Sequence, residues 1–258
     1  HVAGTIGAIG SNGVGVVGVN WQTSLMSLRI LDNNNQGDSG AAIRAINYAR
    51  DMRERLTVNS ANRVTEGASV KVLNNSWGQP GGYEASLEAA IEQLYGAGIL
   101  FVAAAGNGNI LGNGVDNDRT PFYPASYDVP NVIAVAAVDA NDRLATFSNF
   151  GKTSVDILAP GVGIRSTVPG GGYQSANGTS MAAPHVAGTA ALIWSALPES
   201  TVDEVKQAIL GQAPYAAENK SIDIVPNGFD AAATGGRLNA FKSINADVFA
   251  PAARLIAK

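Results

Sequence analysis

Along this chain, short runs of apolar residues take turns with longer stretches in which apolar residues recur at helical spacing. The short runs are "TSLMSLRIL" (23–31), "VKVLNNS" (70–76), "ILFVAAA" (99–105), "VIAVAAV" (132–138) and "VDILA" (155–159). Near-continuous apolar character over so few residues predicts strands buried on both faces. Between them, "AAIRAINYARDMRERL" (41–56) puts Ile43, Ile46, Ala49 and Met52 on one stripe, which predicts a helix. Helices are also predicted over "EASLEAAIEQLYGAG" (84–98), which ends at glycine, over 180–197, and over "STVDEVKQAILGQA" (200–213) behind a Ser/Thr cap. A last short helix is expected after "GGRLNAFKSI", whereas "DNNNQGDSG" reads as a polar turn and 57–69 as a loop. Strands alternating with amphipathic helices predict an α/β fold with a parallel sheet covered on both faces. There are no repeats, no low-complexity tract and no clear linker, so 1–258 reads as one domain.

Composition narrows the function classes. The 258 residues suffice for a sizeable core. Charged residues make up only 15%, against about 25% in an average globular protein. With 30 glycines and 46% hydrophobic residues, the chain is suited to close backbone packing rather than disorder. A net charge of −4 offers no basic footprint for nucleic acid. No apolar run reaches the ~18 residues of a membrane span. Absence of cysteine excludes disulfides, thiolate chemistry and Cys-ligated zinc. It fits a secreted or cell-envelope protein, whose signal peptide would precede these residues. A monomer is expected.

Two glycine-containing motifs invite a chemical reading. "GVGVVG" (13–18) matches the dinucleotide fingerprint letter for letter, but that motif must follow a strand and open a helix. Here it follows a helix-like segment, and no acidic residue on a second strand comes about 20 residues later. A loop needing close backbone approach explains its glycines better. The second motif is "NGTSMAAPHVAG" (177–188). Pro184 is tolerable only where a helix is just starting, which puts Ser180 at a helix N-terminus among unpaired N–H groups. That environment suits a nucleophile whose attack creates an oxyanion, and it equally suits a plain N-cap; from local physics alone the cap is the commoner case.

Residue identity adds to this. "NGTSMAAPHVAG" resembles the nucleophile motif of the subtilases, the subtilisin-like serine proteases, and "HVAGTIGA", "VLNNSWG", "VAAAGN", "PFYPAS", "FSNFG" and "VDILAPG" follow the family's order along the whole chain. The resemblance implies a three-layer α/β/α fold with a mostly parallel central sheet, here missing its N-terminal strand or strands, and a serine endopeptidase acting on peptides bound in extended form. It makes Ser180 the nucleophile and Asn107 the side-chain donor that forms the oxyanion hole with the Ser180 N–H. Asn107 follows an apolar strand, at the end where parallel sheets place their sites. Taken alone it could be a turn asparagine between Gly106 and Gly108. The resemblance further assigns Ser76, Trp77 and Gly78 to the cleft, with Trp77 as core the alternative. Ala104, Ala105 and Gly106 would form one wall of the P1 pocket, and the turn 35–39 a second edge along the substrate. Walls of Gly, Ala and Ser predict a roomy P1 pocket without a dominant charge, hence broad specificity. The Tyr123–Pro124 bond is expected to be cis, as in the family's matching turn.

The two histidines do not complete a triad. The family motif is H-G-T-H-V-A-G, whose first histidine is the base, and "HVAG" here matches only its second half. His1 therefore aligns with a structural histidine, and the base and its aspartate are expected upstream. His185 lies five residues beyond Ser180 on the same helix, facing away. A chain without them should be nearly inert, an incomplete piece of an active protease; a non-catalytic peptide-binding relative is the alternative. No cofactor is required for the chemistry. Many subtilases hold structural Ca²⁺ in the loop after the histidine helix, and here Ile9, Asn12, Val14 and Val16 would offer the oxygens.

Overall fold

A computed structural model of the chain describes residues 1–34, 36–109, 111–211, 222–225 and 228–246. In chain order, α1 (Val2–Gly7) and α2 (Ser39–Glu54) precede a small hairpin, β1 (Thr57–Val58) with β2 (Val64–Glu66). Next come β3 (Val72–Asn75), β4 (Gln79–Pro80), α3 (Ala85–Gly96), β5 (Leu100–Ala104), β6 (Phe122–Tyr123), β7 (Val132–Val138) and β8 (Ile157–Pro160). The hairpin β9 (Ile164–Val168) and β10 (Gly172–Ala176) leads to α4 (Thr179–Ala196) and α5 (Val202–Leu210). Last are β11 (Ile222–Ile224), α6 (Gly228–Ala231), β12 (Gly236–Leu238) and α7 (Ala240–Ile244).

The central sheet has the order β11-β12-β8-β7-β5-β3, parallel except for β11 against β12. Side chains of a strand alternate between its faces, and here both faces are buried. Leu100, Val102 and Ala104 of β5 join Ile133, Val135 and Ala137 of β7 against α4 and α5. Phe101 and Ala103 join Val132 and Ala134 against α2 and α3. The architecture is therefore α/β/α in three layers, as expected. Register places Ala104 opposite Val135 and Asn75 opposite Ala103, so β3 and β5 end side by side.

The segment 23–31 departs from its expected strand. Thr23–Ile30 carries no strand and makes no backbone hydrogen bond among the described residues, and Leu25 and Met26 are exposed. A strand is stable only beside a partner, and β3 is a sheet edge with no described strand beyond it. The polar stretch 57–69 holds the hairpin β1–β2 rather than only loop. "GGRLNAFKSI" itself forms β12 and α7; the helix expected after it falls largely on residues beyond 246, outside those described. Residue 35 of the expected substrate-binding turn is likewise outside them, and 36–38 are irregular before α2.

The loop between β5 and β6 and the loop before β8 are joined through Asp118. Its carboxylate accepts from the N–H groups of Lys152, Thr153 and Ser154 and from the Thr153 and Ser154 hydroxyls. Partial burial opposes its ionisation, but the hydrogen bonds from Ser154 and Thr153 outweigh it and bring the pKa from 3.8 to about 2. A depressed folded-state pKa stabilises the fold above the unfolded value and loses that effect as pH falls through the folded one. Asp118→Asn should therefore lower the melting temperature at pH 7, with the gap to the parent closing as pH falls from about 4 to about 2. Thermal melts across that range check this; a gap independent of pH would contradict it.

Candidate active site

Ser180 occupies the first turn of α4, as the position of Pro184 required. The turn into the helix is made by Gly178 at φ +152, a conformation that L side chains rarely adopt. Pro184 has no N–H to offer the Ser180 carbonyl one turn back. The Ser76 hydroxyl fills that place, donating to Ser180 O at 2.9 Å, and the Ser180 hydroxyl donates in return to Ser76 O at 3.2 Å. This reciprocal pair joins the segment just past β3 to the start of α4. The Ser180 N–H itself makes no hydrogen bond among the described residues.

Asn107 stands just past the end of β5, in a turn held from both sides. Its Oδ1 accepts from the Thr179 N–H at 2.8 Å and the Thr179 hydroxyl at 3.1 Å. The carbonyl oxygen is thus committed, the residue is exposed, and Nδ2 makes no hydrogen bond among the described residues. Thr179 Oγ1 also accepts from Gly106 N–H at 3.1 Å. On the other side, Asn149 Oδ1 accepts from Gly108 N–H at 2.8 Å and Val115 N–H at 3.0 Å, while its own N–H donates to Gly106 O at 2.9 Å. Asn149 Nδ2 donates to Asn117 Oδ1 and Asn117 Nδ2 to Ala105 O, each at 2.9 Å. Two buried amides thus fix the turn whose tip is Asn107.

Ala104, Ala105 and Gly106 are buried at the end of β5. Trp77 is half-buried, packs against the cluster containing Phe101 and Leu94, and donates from Nε1 to Asn75 Oδ1 at 3.1 Å. Gly78 leads into β4, which pairs with β6, and the Tyr123–Pro124 bond is cis as expected. A Cβ at Gly78 would lie 2.4 Å from Cε1 of Phe122, and one at Gly106 would lie 2.9 Å from Cδ2 of the same ring. One phenyl ring therefore touches both glycines.

Both histidines are engaged elsewhere. His1 Nε2 lies 2.9 Å from Ile164 O and 3.0 Å from Gln174 O; since both are acceptors, Nε2 carries the proton. With Ser166 Oγ donating to His1 O, the residue clasps α1 to the hairpin β9–β10. His185 donates from Nδ1 to Met181 O at 2.9 Å. Burial holds its pKa below the ordinary imidazole value, though the bond to Met181 acts the other way. Neither imidazole is bonded to Ser180.

In the loop after α1, Ser11, Gly13 and Gly15 have positive φ, and Asn12 Oδ1 accepts from Val14 N–H at 3.0 Å. The carbonyls of Ile9, Val14 and Val16 accept no hydrogen bond among the described residues. Those residues contain no group of three or more His, Cys, Asp or Glu able to hold a metal, and no helix long and apolar enough to cross a membrane.

The sequence singles out Ser180 and Asn107 through their motifs but not four residues beside them. Thr179, Asn149 and Phe122 lay inside family motifs without a role, and Asn117 lay in none. Their partners stand about 10 to 70 residues away in sequence. The Asn-rich composition of this region was the one available signal.

The model of the subtilase family matches residues 1–236. Subtilisin DY of Bacillus licheniformis is 40% identical over 213 residues, 83% of this chain and 69% of that protein. Subtilisin E of Bacillus subtilis (strain 168) is 39% identical over 215 residues, 83% of this chain and 50% of that protein. A solved protease structure from Pseudoalteromonas arctica PAMC 21717 superposes with a TM-score of 0.73 at 30% identity, over 95% of this chain and 69% of that one.

The Ser76–Ser180 pair makes a stability prediction. Ser76→Ala leaves the Ser180 carbonyl without a donor, so urea unfolding should show a loss of about 1–3 kcal/mol. In a Pro184→Ala background the helix regains its own donor, and Ser76→Ala should cost clearly less. Equal costs in the two backgrounds would refute the assignment.

Proposed function

The chain belongs to the subtilase family, and from that premise we propose that it carries the nucleophile and oxyanion hole of a serine endopeptidase. Ser180 Oγ attacks the carbonyl carbon of the scissile peptide bond. The resulting oxyanion takes hydrogen bonds from the Ser180 N–H and Asn107 Nδ2, and collapse of the adduct expels the amine and leaves an acyl-enzyme that water hydrolyses. The observation that carries this reading is the commitment of Asn107 Oδ1 to Thr179, the residue next to Ser180. Among the described residues it leaves one unpaired side-chain donor and one unpaired backbone donor at the same helix start. Ser76–Gly78 and Ala104–Gly106 border the cleft, with the substrate extended between them.

The proton of Ser180 needs an acceptor. Both histidines of the sequence are bonded away from it. The enzymatic reading therefore requires a base and an orienting carboxylate in addition to these residues. General-base help is worth roughly 10²–10⁴ in rate, so the chain alone would be nearly inert. The same observation favours the second reading, a peptide-binding relative without catalysis. A structural calcium ion in the loop after α1 also belongs to the proposal. Its donors would be the carbonyls of Ile9, Val14 and Val16 with Asn12 Oδ1, all oxygens as Ca²⁺ prefers, and it would supply rigidity and no chemistry.

In a protein that joins this chain to the family's upstream aspartate and histidine motifs, Asn107→Ala should lower kcat roughly 10²–10³-fold with little change in KM. Peptide-anilide kinetics measure this. Loss confined to KM, with kcat intact, would refute the oxyanion role, and absence of turnover in the folded parent would favour the binding reading.

A further inference from the structure

The contacts of Phe122 bear on what the cleft accepts. Cδ2 and Cε1 are para carbons of one ring, at opposite ends of its diagonal. A Cβ on Gly106 would meet the first at 2.9 Å, and a Cβ on Gly78 would meet the second at 2.4 Å and the adjoining Cζ at 3.0 Å. The ring therefore bridges the space between the two glycine backbones. These are the segments that border the P1 pocket in the proposed function, and this inference rests on that reading.

The backbone of Phe122 is well fixed. Its N–H donates to Ser126 Oγ at 3.0 Å, its carbonyl accepts from Ser126 N–H at 2.9 Å, and β6 pairs with β4 through Gln79↔Tyr123 and Pro80↔Phe122. The aromatic side chain also packs, half-buried, against the cluster of α2, α3 and the sheet. Side-chain-free walls at Gly78 and Gly106 would by themselves leave a wide pocket; here the Phe122 ring lies against both glycines.

We infer that Phe122 is a specificity-determining residue that fills the inner part of the P1 pocket and restricts it to small P1 side chains such as Gly, Ala and Ser. An aromatic or long aliphatic P1 group competes with the Phe122 ring for the same space, and overpacking there is unfavourable. Discrimination by filled volume in an apolar pocket is worth roughly tenfold or more per excluded group.

The test uses the 258-residue chain and fluorescein-labelled peptide acids Ala-Ala-Pro-Xaa, with Xaa Ala, Leu or Phe, followed by fluorescence anisotropy. These are product-like ligands whose carboxylate meets the Ser180 N–H and Asn107 Nδ2. The expected result is binding of the Ala peptide at least about tenfold tighter than the Phe peptide. Phe122→Gly, and in lesser degree Phe122→Leu, should reverse or level that order. The parent's ranking decides the question even if a variant does not fold. Equal or tighter binding of the Phe peptide by the parent overturns the inference while leaving the peptide cleft in place. An unchanged ranking in a folded Phe122→Gly also overturns it. If a folded parent binds none of the peptides, the cleft reading itself is overturned and this inference falls with it.

Discussion

Pro184 carries no N–H, so the carbonyl of Ser180 has no donor within its own helix and takes one from Ser76. A single missing donor thus obliges the start of α4 to sit against the segment just past β3. The Ser180 hydroxyl returns a bond to the Ser76 carbonyl. Because β3 and β5 are in parallel register, the same arrangement brings the end of β5, with Asn107 just beyond it, alongside the helix start. Thr179 then joins the two by donating to Asn107 Oδ1. The borders of the proposed cleft are consequences of how one helix begins.

The turn at Asn107 is held as tightly from behind. Thr179 receives the Gly106 N–H, and the Asn117–Asn149 pair receives or supplies bonds at Ala105, Gly106 and Gly108. A donor that stabilises charge only in the transition state is effective when it is oriented before the reaction begins. In the role proposed for Asn107, fixing Oδ1 on Thr179 and the backbone on two buried amides would do this without involving Nδ2. The buried polar residues Asn117, Asn149 and Thr179 therefore have a common explanation in the turn that they surround.

Much of this was legible in the sequence where burial was two-sided. Val132–Val138 is apolar throughout because all seven of its residues are buried, and its strand was predicted to the residue. Residues 23–31 have the same apolar look but no neighbour, and a pattern in one segment cannot reveal whether its partner is present. The hairpin β9–β10 went unpredicted, although Gly170 and Gly171, both at positive φ, sit between two strand-like stretches and signal a tight turn. At the candidate site, motifs single out Ser180 and Asn107. The expectation of a roomy pocket rests on the Gly, Ala and Ser of the walls and takes no account of Phe122, whose ring lies against Gly78 and Gly106. Composition of a lining does not report which side chain enters from outside it.

The central claim is that Ser180 is a nucleophile lacking only a base from outside these residues. Reaction with a serine-directed fluorophosphonate tests it most directly, read by intact mass together with circular dichroism and a cooperative melt to show that each protein is folded. A folded 258-residue chain should be labelled negligibly, and His1→Ala should change nothing, because without an adjacent imidazole the hydroxyl keeps its proton. Joining the upstream aspartate and histidine motifs should restore labelling, and Ser180→Ala should then abolish it. Prompt, Ser180-dependent labelling of the folded short chain would contradict the account, since His1 or His185 would have to be reaching the serine after all.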